Sequence, residues 1–204
     1  MLPFGHVAAG YLVAQAVLKI GNPALDPVQL KHLLYWGMFF GFAPDLDMFI
    51  AFALARSFSF GRKPELNHRS FSSHAPVVWL AAGLVVIGAA EVGIFGSLGR
   101  GSPTSGSAGI GSPVEFYKYF GLLLWLGSWS HFFLDSIQYG IKWLWPFSQE
   151  VFAFKDKLIK DTNNETSSVR YWLHWLKFYF QRLKLTLYLE VVIILAAVAV
   201  YRLN

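Results

Sequence analysis

Long apolar stretches separated by short polar ones dominate the chain. We delimit five of them, which cover residues 7–20, 33–55, 75–98, 116–137 and 183–203. A helix needs about 20 apolar residues to cross a hydrocarbon core of about 30 Å, so four stretches are long enough and the first is short. The pattern predicts an all-α, polytopic helical membrane protein with four to five transmembrane helices.

A second periodicity precedes the last apolar stretch. There, polar and apolar side chains each recur every three or four positions, as on two faces of one helix. The polar stripe consists of Arg170, His174, Lys177, Gln181 and Lys184, and the apolar stripe of Trp172, Trp175, Leu176, Tyr179 and Leu183. We predict an amphipathic helix that lies in the membrane interface. The alternative is that this helix extends the last span into water.

Two polar segments interrupt the apolar pattern. Residues 96–113 are rich in glycine, serine and proline, the composition of a flexible linker, and residues 155–168 form a polar loop. We therefore divide the chain into a membrane-embedded part (1–147), a polar loop with the interfacial helix (148–182) and a C-terminal transmembrane helix (183–204).

Composition and charge agree with a membrane location. Of the 204 residues, 55% are hydrophobic and only 14% are charged, whereas a soluble domain carries about 25% charged residues. The formal net charge of +5 fits lipid head groups, and we predict no nucleic-acid partner. If the connections alternate across five spans, most lysines and arginines fall on the side of the N-terminus, which indicates that this side is cytoplasmic.

Ionisable side chains within apolar stretches are functional candidates, because burying them is costly. The alternating topology brings four separate segments to one face, and their candidate residues are His6, Asp45, Asp47, His68, Arg69, His74, His131 and Asp135. The chain contains no cysteine, which excludes disulfides, thiolate metal ligands and a cysteine nucleophile. Any metal ion must therefore be held by histidine, carboxylate and water, ligands that suit Zn, Mn, Fe or Mg.

Two of the segments place their candidate residues close together in sequence. In "PDLD", Asp45 and Asp47 follow Pro44, where the helix has a place to break. In a turn both carboxylates can point at one metal cluster, although a helix cap explains one of them as well. In "HFFLD", His131 and Asp135 are four residues apart and share a helix face. Such a pair binds one ion or forms a local hydrogen bond.

The stretch "NHRSFSSH" carries the third group. His68 and His74 are six residues apart, which is not one helical face, so a turn must bring both inward. Arg69 offers a fork of donors that matches phosphate oxygens. The alternatives are that Arg69 is a cytoplasmic surface charge and that His74 caps the next helix.

The order of these motifs resembles that of a known family. A histidine near the N-terminus, "PDLD", "HRSFSSH", "HFFLD" and "GIKWLWPF" are similar to the P-D-x-D, H-R-G-x-T-H-S, H-x-x-x-D and G-x-x-x-x-x-P-F motifs of the membrane-bound, metal-dependent hydrolases described as LexA-binding and inner-membrane-associated. The likeness covers residues 6–147. The chain departs from the family at Ser70, Ser73 and Ala75. A more distant similarity is to zinc-dependent phospholipase C and the related single-strand nucleases.

The resemblance implies a metal-dependent hydrolase in the cytoplasmic membrane, with its metal site towards the cytoplasm. The implied metal ligands are His6, Asp45, Asp47, His68, His74, His131 and Asp135. The implied catalytic residues are Arg69, which stabilises charge on the substrate oxygen, and Asp47, which serves as a base. The expected cofactor is a divalent metal, zinc first, with Mn, Fe or Mg as alternatives and one ion or more.

The location of the residues predicts a lipid or lipid-linked ester or phosphoester as substrate. Two rival interpretations use the same residues. The first is a transporter that passes protons or divalent cations through buried carboxylates and histidines. The second is a scaffold without activity, whose polar residues only hold helices together.

Overall fold

The computed structural model describes residues 1–56, 71–95, 112–155 and 167–203. Within these ranges the chain is all-helical, without a β-strand. Its α-helices are α1 (Pro3–Gly21), α2 (Pro27–Phe42), α3 (Asp47–Ala55), α4 (Pro76–Glu91), α5 (Pro113–Asp135), α6 (Ser168–Arg182) and α7 (Lys184–Leu203). The predicted fold class is confirmed.

Within the described residues, three helical units are long and apolar enough to cross a membrane: Pro3–Gly21, Pro27–Leu54 and Lys184–Leu203. The predicted number of four to five transmembrane helices stays a prediction. The first of these units is longer than the apolar stretch predicted, because the helix starts with a proline at its first position and ends at Asn22, which takes a left-handed backbone conformation. Conversely, α4 has 16 residues and ends at Glu91, earlier than the predicted boundary at residue 98.

The second apolar stretch breaks where the proline predicts it. The helix α2 begins with a capping box, in which the Asp26 carboxylate accepts hydrogen bonds from the Val28 and Gln29 amides. It ends at Phe42, and a 3-10 turn over Ala43–Leu46 leads into α3. Asp45 therefore lies in a tight turn rather than in the middle of a straight helix.

Four of the helices, α1, α2, α4 and α5, pack on one another as a bundle. At one end of it, α1 and α4 begin while α2 and α5 end. We call this the ligand end, because His6, Asp45, His74 and His131 all lie there. The alternating topology predicted from sequence is the reason that residues 125 positions apart meet.

Glycines let the bundle helices cross closely. A Cβ atom on Gly10 of α1 would lie 2.2 Å from the carbonyl oxygen of Gly37 on α2, and one on Gly83 of α4 would lie 2.7 Å from the carbonyl oxygen of Gly121 on α5. Small residues at helix crossings are typical of membrane helices, since lipid provides no hydrophobic drive for their association and close packing must provide it instead. We call these contacts the glycine crossings.

The last two helices lie against the bundle. The helix α7 packs on α1. The helix α6 places Tyr171 in a small apolar cluster with Ala51 and Phe52 of α3, and Met48 and Phe71 pack against the same cluster. The single residue Leu183, which is fully buried, separates α6 from α7.

Candidate metal centre

The ligand end buries an unusual number of ionisable side chains. His6, His131 and Asp135 have no exposed surface, and the others are 8% exposed or less: His74, Asp47 and Asp45. They come from the first turn of α1, the turn before α3, the turn before α4 and the last turn of α5. Because burying such groups is costly unless they are paired or bind an ion, their arrangement requires a specific explanation.

The ring of His131 is oriented by the end of α2. Its Nδ1 atom lies 3.0 Å from the carbonyl oxygen of Gly41. A carbonyl only accepts hydrogen bonds, so Nδ1 carries the proton and donates it. In the neutral ring, Nε2 is then an unprotonated nitrogen whose lone pair points into the cluster.

The ring of His74 is oriented by a carboxylate. Its Nδ1 atom lies 3.2 Å from Oδ2 of Asp47, and the hydroxyl of Ser73 donates to the same oxygen at 2.8 Å. This is the arrangement in which a carboxylate fixes the tautomer of a metal-binding histidine and raises its basicity. The Nε2 atom of His74 therefore also presents a lone pair to the cluster.

The Nε2 atoms of the two histidines and the remaining carboxylates converge. The two Nε2 atoms of His74 and His131 are 3.4 Å apart. From Nε2 of His131, Oδ1 of Asp45 lies at 3.5 Å and Oδ2 of Asp135 at 3.9 Å. Two overlapping groups thus have ligand atoms within 4.8 Å of one another, His74–His131–Asp135 and His6–Asp45–His131. Both include His131, whose only free nitrogen places it at the centre.

The second group adds His6. Its ring stacks on that of His131 with centroids 3.8 Å apart, and its Nε2 atom lies 3.4 Å from Oδ1 of Asp135. Neither ring nitrogen of His6 makes a hydrogen bond within the described residues. The amino group of Met1 also reaches Oδ1 of Asp135, at 2.9 Å. Asp135 consequently has one oxygen towards His6 and the other towards His74 and His131.

A buried carboxylate on α7 holds the start of α1. Glu190 accepts hydrogen bonds from the backbone amides of Leu2 (3.3 Å) and Gly5 (3.1 Å) and from the hydroxyl of Tyr179 on α6. Burial, together with the hydrogen bond to Glu190, raises the pKa of Tyr179, which keeps its hydroxyl a donor. This group fixes the turn that carries His6. The sequence predicts for Glu190 a neighbouring helix as partner or a place near an interface, but it does not identify the partner, because none lies nearby in sequence.

The residues predicted from the sequence fall into three sets. His6, Asp45, His74, His131 and Asp135 supply the converging atoms. Asp47 lies behind His74 rather than beside it, and its Oδ1 atom makes no hydrogen bond within the described residues, so its role as a ligand or a base stays a prediction. His68 and Arg69 lie outside the described residues.

Asp45 follows Pro44 within the 3-10 turn and Asp47 begins α3 directly after it. Residues of four sequence motifs meet at this site. A family model matches residues 1–204, the whole chain. The chain belongs to the YdjM inner membrane protein family. It is therefore an integral inner-membrane protein, in agreement with its apolar helices. No curated protein and no solved structure matches the chain significantly.

Proposed function

We propose that this family member is a membrane-bound, metal-dependent hydrolase. One observation carries the proposal: two histidine Nε2 atoms lie 3.4 Å apart, each with its ring proton committed to an acceptor on the opposite side. Two lone pairs at that distance repel each other unless a cation lies between them. The carboxylates of Asp45 and Asp135 add negative charge to the same space, which favours a divalent cation.

The spacing favours zinc. In a tetrahedral site with Zn–N and Zn–O distances of about 2.0–2.1 Å, neighbouring ligand atoms lie about 3.3 Å apart. The separations of 3.4 Å from Nε2 of His131 to Nε2 of His74 and 3.5 Å to Oδ1 of Asp45 are close to this value. In an octahedral magnesium site at about 2.0–2.1 Å, adjacent ligands lie about 2.9 Å apart. The two imidazole ligands and the burial of the carboxylates also favour zinc over magnesium.

The chain's own residues take distinct roles. His74, His131 and Asp135, one of the two converging groups, would hold the ion, and Asp45 and His6 of the other group would complete its surroundings or hold a second one. A bound zinc ion lowers the pKa of water to about 7 and polarises a substrate oxygen. Asp47 orients His74, and its Oδ1 atom remains our prediction for the base that takes the proton of the attacking water.

The position of the cluster supports hydrolysis of a lipid or lipid-linked substrate. The ligand atoms lie at one end of the four-helix bundle rather than halfway along it, and we expect the lipid head groups at this end. A transporter needs a site that both faces can reach near the middle of the membrane. We keep Arg69 as the predicted partner of a phosphoryl oxygen.

Hydrolysis is tested with purified protein in mild detergent. We expect release of product from at least one class of phospholipid or lipid-linked phosphoester, loss of that activity with a chelator, and recovery on adding zinc. His131→Ala should be inactive, and His32→Ala, which removes an exposed histidine of α2, should be fully active.

Two outcomes would reject the proposal. Folded protein that binds metal but hydrolyses none of a panel of lipid esters and phosphoesters would favour cation transport by the same residues. Activity that survives both the chelator and His131→Ala would place the reaction outside this cluster.

A further inference from the structure

The outward face of α6 carries an apolar stripe that shares only Leu176 with the one predicted from the sequence. Most residues of the predicted stripe turn inward: Tyr179 and Leu183 are fully buried, and Trp172 packs against Phe52. A second apolar stripe, at spacings of four, three and four residues, is exposed instead. It consists of Val169, Leu173, Leu176 and Phe180, which are between 38% and 68% exposed.

Basic side chains run alongside this exposed stripe. Arg170 and Lys177 are both exposed, and at 100° per residue they follow the stripe on one flank of the helix. Lys184, also exposed, begins α7. An apolar stripe flanked by bases is typical of helices that rest on anionic lipid, since the apolar side chains enter the acyl boundary while the bases reach the phosphates.

The junction with α7 places this face at the level of the head groups. Only Leu183 separates α6 from α7, and α7 is the most apolar of the membrane-spanning helices, with a mean hydropathy of 2.0 and little of its surface buried. The start of α7 is fixed to the ligand end, where Gln138 accepts hydrogen bonds from the amide and hydroxyl of Thr186. The exposed stripe of α6 thus continues the lipid-facing surface of α7.

The inward face of α6 contacts the segments that supply the metal centre. Tyr171 and Trp172 belong to the cluster that contains Met48 and Phe71. Met48 follows Asp47 directly, and Phe71 starts the turn that contains His74. The helix therefore has lipid on one side and the segments of the cluster on the other.

We infer that the outward face of α6, formed by Val169, Leu173, Leu176 and Phe180 with Arg170 and Lys177, is a docking surface for anionic phospholipid. This inference depends on the membrane location of the chain and on the exposed face of α6, and it does not depend on the proposed hydrolysis. Its natural ligand is a phosphatidylglycerol-like head group, whose charge complements the basic flank. The contact steadies α6 over the metal centre.

The chain has no cysteine, so single labelling sites are easily introduced. We would place a bimane fluorophore on Leu173→Cys in the full chain, reconstituted in vesicles that contain brominated phosphatidylcholine or brominated phosphatidylglycerol. Quenching by both lipids, stronger with phosphatidylglycerol, is expected. The preference should fall by about fivefold for each base removed, as for a charge of about 1 kcal/mol at the membrane surface. The double variant Arg170→Gln/Lys177→Gln should be quenched equally by the two lipids.

A control label and three outcomes make the test decisive. Leu195→Cys on α7 is 63% exposed, and its label should be quenched equally by both lipids. Equal quenching at Leu173→Cys would overturn the choice of anionic lipid. Iodide quenching without lipid quenching would place the stripe in water, and no quenching by either would place a protein partner, such as a second copy, on it. Each of these last two results would overturn the proposal, and neither result depends on metal binding or hydrolysis.

Discussion

The glycine crossings and the ligand end belong to the same four helices but hold them together in different ways. At the crossings, the backbones approach so closely that a Cβ on Gly10 would lie 2.2 Å from an oxygen of α2. At the ligand end, fully buried histidines and carboxylates face one another. Gly41 belongs to both, because its lack of a side chain admits α1 and its carbonyl orients His131. From this difference we expect that close packing supplies most of the stability and that the polar cluster serves the proposed metal site.

The scaffold interpretation predicts the opposite, namely that the polar cluster itself stabilises the helix bundle. If the polar residues only held helices together, removing one of them would destabilise the protein as an overpacked crossing does. Separate measurements of metal binding and of thermal stability therefore distinguish the two, and the following predictions run from the largest expected effect to the smallest.

The largest effect is expected for His131→Ala. This substitution removes the nitrogen that both ligand groups share, so metal binding should fall by more than the factor of about 10–100 that loss of an outer-shell partner costs. His32→Ala on α2 is the matched control and should bind metal normally. Inductively coupled plasma mass spectrometry measures the metal, and far-UV circular dichroism checks the fold. Normal metal content in folded His131→Ala protein would contradict the assigned centre.

The next largest effect should be on stability alone. Gly10→Ala introduces a methyl group against the Gly37 carbonyl, and overpacking of this kind costs about 1–3 kcal/mol. Gly88→Ala is the matched control, because a Cβ there has nothing within 4 Å and alanine favours a helix by about 1 kcal/mol. Thermal unfolding in detergent should shift downward for the first variant and slightly upward for the second. Equal shifts would refute the close crossing.

An intermediate effect is expected behind His74. Asp47→Asn removes the negative charge that accepts the proton of His74 Nδ1, so zinc affinity should fall by about 10–100-fold with little loss of stability. Asp26→Asn makes the same chemical change at a helix cap and should leave zinc affinity unchanged. Competition with a zinc-binding dye measures both. An unchanged affinity for Asp47→Asn would mean that Asp47 does not orient a ligand.

The smallest effect concerns the hydrogen bonds of Glu190. Tyr179→Phe removes one donor to its buried carboxylate, which should cost about 1 kcal/mol and lower the unfolding temperature by a few degrees. Tyr188→Phe, which alters an exposed tyrosine of α7, serves as control and should behave as wild type. If the two variants melted at the same temperature, Glu190 would not depend on Tyr179.

The sequence brought most of the candidate residues to one end of the bundle because they occur in short motifs, and their role as metal ligands stays a prediction. The break after Pro44 and the four-residue spacing of His131 and Asp135 follow from local backbone rules, and the alternating topology brings the motifs to one end. The boundary of α4 was less accurate, since apolar composition continues past Glu91 and does not mark where a helix stops.

Other features had no signal in the sequence. Glu190 binds the backbone amides of Leu2 and Gly5, and amides belong to every residue, so no motif records them. Gly41 orients His131 through its backbone carbonyl, and because every residue has a carbonyl, no motif records this contact either. In α6 the amphipathic pattern was visible, but which of two apolar stripes faces protein depends on the cluster with Phe52, a contact that only the tertiary structure reveals.

The most direct test of the metal centre is the metal content of the purified wild-type chain. Protein extracted in mild detergent, incubated with zinc and freed of excess metal by gel filtration should retain zinc in stoichiometric amount. Zinc should be lost at acid pH, because protons then compete with the metal for the histidine nitrogens. Helical, monodisperse protein that retains no zinc, manganese or iron at neutral pH would contradict the account.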